Sequence, residues 1–67
     1  MGKLLLNEYI YSEESIRESC LAYKALAHID LKRERPYFEL EFDQCKYDVE
    51  TTIKEFENYV INVENRK

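Results

Sequence analysis

Three kinds of hydrophobic spacing follow one another along this chain. The first segment, KLLLNEYIY, carries apolar groups on both parities: Leu4, Leu6 and Ile10 on one, Leu5, Tyr9 and Tyr11 on the other. That pattern predicts a strand with two apolar faces, or an edge strand covered by a partner. The spacing then changes to steps of four, three and four. Ile16, Cys20, Tyr23 and Ala27 fall on one helical face, Leu26 widens it, and Glu13, Arg17 and Lys24 lie away from it. A helix over EESIRESCLAYKALA follows, with Ser12 ahead of it as an oxygen acceptor and Glu13 and Glu14 at the positive end of its dipole.

Strict alternation comes next. In HIDLK, Ile29 and Leu31 point one way and His28, Asp30 and Lys32 the other; in YFELEF, Phe38, Leu40 and Phe42 point inward and Tyr37, Glu39 and Glu41 outward. The polar link RERP between them contains Pro36, which lacks a ladder donor, so the two runs predict an antiparallel hairpin. Helical spacing returns in Val49, Ile53, Phe56, Val60 and Val63. Asp48, with Glu50 in the first turn, is one start for this helix; Thr52 with Glu55 is another, as a capping box.

Strand, helix, strand, strand, helix, each with one apolar side, predicts an α+β fold. It is a βαββα two-layer sandwich over residues 1–67 as one domain, with a three-stranded sheet and both helices on one face. The reverse face then carries Leu5, Tyr9, Tyr11, Asp30, Lys32, Tyr37, Glu39 and Glu41, while Tyr59 and Ile61 lie off the stripe of the last helix. Tyrosine offers a large amphipathic contact at low entropic cost and is enriched at interfaces. Tyr9, Tyr11, Tyr37 and Tyr59 are therefore the candidate partner contacts. The expectation is that the open sheet face, or the edge of the first strand, packs on a second copy as a homodimer or on another protein or peptide.

Composition narrows the partner. The 67 residues are 45% hydrophobic and 36% charged, with a net charge of −4. A folded chain this small buries about 60% of its unfolded surface. The negative balance argues against nucleic acid and against an anionic membrane, both of which need clustered positive charge. The opening MGKLLLNEYIY has a leucine run too short for a signal peptide core or a membrane span, and Leu6 stands where an N-myristoylation signal has Ser or Thr. The expected location is the cytoplasm.

Candidate chemistry is sparse. Cys20 and Cys45 are separated by 25 residues, with one histidine in the chain, which is a poor zinc set and reads as two reduced thiols, with a disulfide between them as the alternative. His28 with Asp30 on the same strand face could orient a base, but local spacing puts no nucleophile beside it. The acidic pairs Glu13/Glu14 and Glu39/Glu41 lack the enclosure that raises a carboxyl pKa. Gly2 is the sole glycine, so a phosphate-binding loop is excluded. Lys32, Arg33 and Arg35 form the one basic spot, at the expected hairpin tip. The reading is a non-enzyme with no cofactor and no metal.

Two segments carry a family resemblance. YSEESIRESCLAYKALAHIDLKRE resembles the front of HxsD-type proteins, the small component of the His-Xaa-Ser peptide-modification system, through Tyr11, Ile16, Ala22, Tyr23 and Ile29. EFENYVINVENRK resembles that family's closing helix through Phe56, Asn58, Tyr59 and Ile61. The resemblance spans about residues 9 to 66. It implies an accessory protein acting beside radical-SAM peptide maturases, binding a precursor peptide or a maturase and doing no chemistry itself.

Overall fold

The structure, a computed structural model, describes residues 2–66. Strand β1 (Gly2–Asn7) leads to helix α1 (Glu13–Ala22), then to strands β2 (His28–Glu34) and β3 (Tyr37–Asp43), and ends in helix α2 (Val49–Asn65). The sheet order is β1-β3-β2, with β3 antiparallel to both neighbours. The predicted α+β order is therefore found. The central position of β3, which hydrophobic alternation does not encode, is the new information.

Cross-strand register turns the alternation into rows. Gly2–Phe42–Ile29, Leu4–Leu40–Leu31 and Leu6–Phe38–Arg33 face the helices. Lys3–Glu41–Asp30, Leu5–Glu39–Lys32 and Asn7–Tyr37–Glu34 face away. Leu6, Phe38, Leu40 and Phe42 join Ile16, Ala27, Phe56 and Val60 in one buried cluster. Both helices thus lie on the same side of the sheet, as expected.

Three aromatic contacts organise this layer. Phe56 meets Phe42 edge-on at 5.2 Å, and Tyr23 meets Phe56 at 5.4 Å and Tyr59 at 5.7 Å in the same geometry. Edge-to-face packing directs ring hydrogens at a neighbouring π face and adds about 0.5–1.5 kcal/mol per pair beyond area burial. Gly2 sits beneath α2: a Cβ there would come within 2.6 Å of Ile53 Cδ1 and 3.2 Å of Val49 Cγ2. A bare backbone at this point lets the first turn of α2 approach β1.

Two elements differ from their sequence reading. β1 stops at Asn7 and does not run on to Tyr11. The Asn7 side chain accepts a hydrogen bond from the Tyr9 amide at 2.8 Å, and its carbonyl accepts from the Ile10 and Tyr11 amides at 3.0 Å each. Local Asn bonding has won over the apolar strand pattern. Helix α1 closes at Ala22, and residues 23–26 form a turn in which Leu26 and Ala27 donate to the Tyr23 carbonyl. Its fully buried positions are Ser15, Ile16 and Ser19, while Cys20 and Tyr23 are half-buried. Ser19 is satisfied internally by donating to the Ser15 carbonyl at 2.8 Å.

The helices are clasped at their ends. Ser12 is the N-cap of α1, as predicted, accepting from the Ser15 amide at 3.2 Å. Its own amide and hydroxyl both donate to Glu64 Oε2 at 2.7 Å, so a carboxylate from the last turn of α2 lies at the positive end of α1. Arg66 adds a 2.9 Å bond to Glu18. Asp48, not Thr52, caps α2, accepting from the Thr51 amide at 3.0 Å and its hydroxyl at 3.1 Å.

This packing can be probed at two points. Phe56→Ala removes the ring that touches both Phe42 and Tyr23, a change worth about 3–5 kcal/mol in a buried core. That is comparable to the whole stability of a chain this size, so its urea transition should lose cooperativity while that of Tyr59→Leu persists. The Thr51 amide and hydroxyl hold the Asp48 carboxyl below its usual value. A folded-state pKa that is depressed contributes stability above the unfolded value and loses it as pH falls through the folded one. Asp48→Ala should therefore melt below wild type at neutral pH, and the difference should close on acidification below the ordinary aspartate range.

Candidate functional site

The buried layer is uneven. Helix α2 packs on β1 and β3, and α1 packs on α2. The inner face of β2 is left partly covered: Ile29 and Leu31 are half-buried where Leu40 and Phe42 are fully enclosed. Between β2 and the second half of α1 lies an open groove of about 720 Å³. Its apolar lining includes Cys20, Leu21, Ile29 and Leu31, and Arg17, Lys24, His28 and Gln44 contribute its polar edge. Leu21, 72% exposed on α1, is a large apolar side chain that the fold itself leaves uncovered.

The groove runs beside an open strand edge. β2 is terminal in the sheet, and residues 29–33 appear in no backbone hydrogen bond outside the β2–β3 ladder among the described residues. Outward amides and carbonyls beside an apolar recess are the two features that accept an added strand. Ladder bonds hold its backbone, and alternate side chains enter the recess.

The tyrosines predicted to form one contact surface are dispersed. Tyr9, 83% exposed, stands in the turn after β1, and Tyr11 packs partly into the core, because β1 ends before reaching either. Tyr37 is on the open sheet face, 41% exposed. Tyr59 is half-buried on α2 against Tyr23. The reverse side of the sheet is uncovered by helices but charged, with Lys3, Asp30, Lys32, Glu34, Glu39 and Glu41 beside the apolar Leu5 and Tyr37. The expected phenol-rich face is corrected accordingly: it depended on a strand continuing through Tyr9 and Tyr11.

The basic spot at the hairpin tip is engaged by the chain's own acids. Arg33 lies 3.5 Å from Glu8 and 3.6 Å from Glu13, with its guanidinium over the Phe38 ring at 5.5 Å; Arg35 reaches Glu8 at 3.9 Å. Glu8 is nearly enclosed, and Oε1 has charge neighbours without a hydrogen bond of good geometry. This cluster ties the hairpin to the turn after β1.

His28 Nε2 lies 3.3 Å from Asp30 Oδ1, both side chains well exposed. Cys20 shares the groove with His28, but no hydrogen bond joins them among the described residues. Burial pushes the Cys20 thiol above its usual pKa, outweighing the opposite pull of Arg17. A neutral thiol is a weak nucleophile. Cys20 and Cys45 are both free and half-buried. Among the described residues no group of three or more His, Cys, Asp or Glu is placed to hold a metal ion, and no helix is long and apolar enough to cross a membrane.

Comparison with protein-family models, with curated proteins and with solved structures finds no match for this chain.

The groove was hidden from sequence reasoning because Ile29 and Leu31 read as ordinary inward positions. The available signal was Leu21, an apolar residue off the predicted α1 stripe. A direct check is the reactivity of Cys20 in a Cys45→Ser background. Its alkylation rate should keep rising with pH beyond the point where a model thiol levels off; levelling at or below that point would contradict the environment described.

Proposed function

We propose that this chain is a non-catalytic accessory protein that captures an extended segment of a partner polypeptide as an added strand along β2. The observation that carries the reading is the coincidence of a free strand edge with an apolar recess and positive side chains. In a chain of net charge −4, Arg17, Lys24 and His28 gather around one groove. Lys24 makes no ion pair among the described residues, and Arg17 is held by Glu13 at 2.7 Å. The segment that fits is apolar at alternate positions, to meet Ile29, Leu31 and Leu21, and acidic at its flanks.

The raised thiol of Cys20, which lines the groove, supports binding over thiol-based covalent chemistry. The resemblance to HxsD-type proteins supports a precursor peptide, or the segment of a radical-SAM maturase that handles it, as the partner. On this reading the tyrosines are secondary: Tyr37 and Leu5 on the open face, with Tyr9 beyond β1, can contact the body of a partner whose strand is held at β2.

The test is a titration of isotope-labelled chain with a short synthetic peptide of alternating valine and threonine ending in glutamates. Amide signals from residues 28–33 and from the second half of α1 should shift together, and Leu21→Lys should weaken the effect about tenfold or more by placing a charge in the apolar recess. Shifts confined to residues 2–11, or none at all, would overturn the reading.

A further inference from the structure

The sequence of β2 contains a symmetry that strand capture makes relevant. Read outward from Leu31, HIDLKRE places Asp30 against Lys32, Ile29 against Arg33 and His28 against Glu34. Two antiparallel copies of a strand related by a two-fold axis pair residues whose numbers have a constant sum. Centred on Leu31, each acidic residue of one copy meets a basic or imidazole residue of the other, and Leu31 meets its own equivalent.

We propose that a second copy of this chain occupies the β2 edge, pairing β2 with β2 antiparallel about Leu31 to give one continuous six-stranded sheet. The proposal rests on the reading of β2 as a strand acceptor and names its partner.

Three observations converge on it. The first is register. Shifting the centre to Asp30 sets that carboxylate against its own equivalent. Shifting it to Lys32 opposes Lys32 to Lys32 and Asp30 to Glu34. Like charges directly opposite destabilise a strand pair and unlike charges support it, so among the face-preserving registers near the strand centre, the one about Leu31 is selected. Pairing residues of equal parity also keeps the four helices on one side.

The second is unmet charge within one copy. Asp30 faces Glu41 across the β2–β3 ladder, a like-charge pair, and its one ion contact is exposed His28. Lys32 stands opposite Glu39 in the ladder, and neither it nor Glu34 makes a close ion pair among the described residues. In the paired sheet Lys32 of one copy lies beside Asp30 of the other, on the flank opposite Glu41.

The third is apolar continuity. The row Leu4–Leu40–Leu31 extends through the axis into the equivalent row of the second copy. The two grooves meet there, so that Leu21, Ile29 and Leu31 of each copy gain a cover that the single fold does not provide. An exposed apolar groove and an open edge are closed in one step, as in other isologous interfaces. A captured peptide would then compete with the second copy for the same edge.

Sedimentation equilibrium of the full chain and of two charge variants tests this. Wild type should dimerise. Asp30→Lys sets the introduced lysine of each copy against Lys32 of the other, and Lys32→Asp sets the introduced aspartate against Asp30. Each variant alone should therefore dissociate at least ~10-fold more readily. An equimolar mixture should form the heterodimer and regain most of the wild-type affinity. Both positions are exposed on the open face, and circular dichroism of each variant checks that the monomer is folded. Leu31→Arg, placing like charges at the axis, should be monomeric as an independent variant. In the wild-type dimer, Cys20 alkylation should slow as protein concentration rises.

A chain monomeric at every concentration, or a dimer indifferent to all three substitutions, would overturn self-pairing. If the monomer nevertheless shows peptide-induced shifts at 28–33, strand capture stands and self-pairing falls. If the dimer follows the charge pattern while the peptide moves nothing even in the monomeric variants, self-pairing stands and peptide capture falls.

Discussion

The structure depends on where α2 lies. Its ring at Phe56 is fully buried against Phe42 of the central strand, and Gly2 lets its first turn down onto β1. A 17-residue helix committed to β1 and β3 cannot also roof β2. The 10-residue α1 packs on α2, with Ser15, Ile16 and Ser19 as its buried positions, and has little reach left over the third strand. The half-covered inner face of β2 is therefore a consequence of helix placement and length. Interiors pack densely and tolerate few gaps, so the deficit appears at one margin of the sheet as a groove.

The contacts that close the rest of the molecule are polar and lie at its corners. Glu64 of α2 is at once an acceptor for Ser12 and a negative charge at the start of α1. Glu8, in the turn after β1, gathers Arg33 and Arg35 from the hairpin. These pairs fix element ends that the aromatic layer does not reach. They also dispose of a spot that looks cationic in the sequence. Arg33 and Arg35 are paired with the chain's own acids at the surface, whereas Lys32, on the opposite parity of β2 from Arg33, is left on the open face.

Much of this fold was legible in the residues. Alternation in Phe38, Leu40 and Phe42 and the three-four spacing of Phe56, Val60 and Val63 identify positions that are buried. Ser12 and Asp48 are capping residues in sequence and in structure. The errors have local causes. The apolar run past Asn7 imitates a strand, but a short amide side chain bonding back to the main chain ends it. The buried stripe of α1 is displaced toward Ser15 and Ser19, since hydrophobicity does not mark small residues that are buried for their size. Strand order and the distance between α1 and β2 are tertiary quantities that no spacing along one chain reports. The candidate site was least visible, because a groove is defined by what is missing beside Ile29 and Leu31.

An uncovered edge normally invites indiscriminate pairing, and natural sheets blunt it with charge, proline or short strands. β2 shows a more selective solution. Its hairpin end is closed by Pro36 and by Arg33 drawn inward over Phe38, while its middle keeps Ile29 and Leu31 available toward the groove. The charges between them, Asp30 and Lys32, point to the other face and do not obstruct the recess. They make the outcome of pairing depend on register and on the charge of the incoming strand. Under the proposed pairing, a strand offering acid opposite Lys32 and base opposite Asp30 is favoured, and one that reverses those charges is repelled. In the proposed pairing, apolar surface supplies the attraction at this edge and electrostatics supplies the choice.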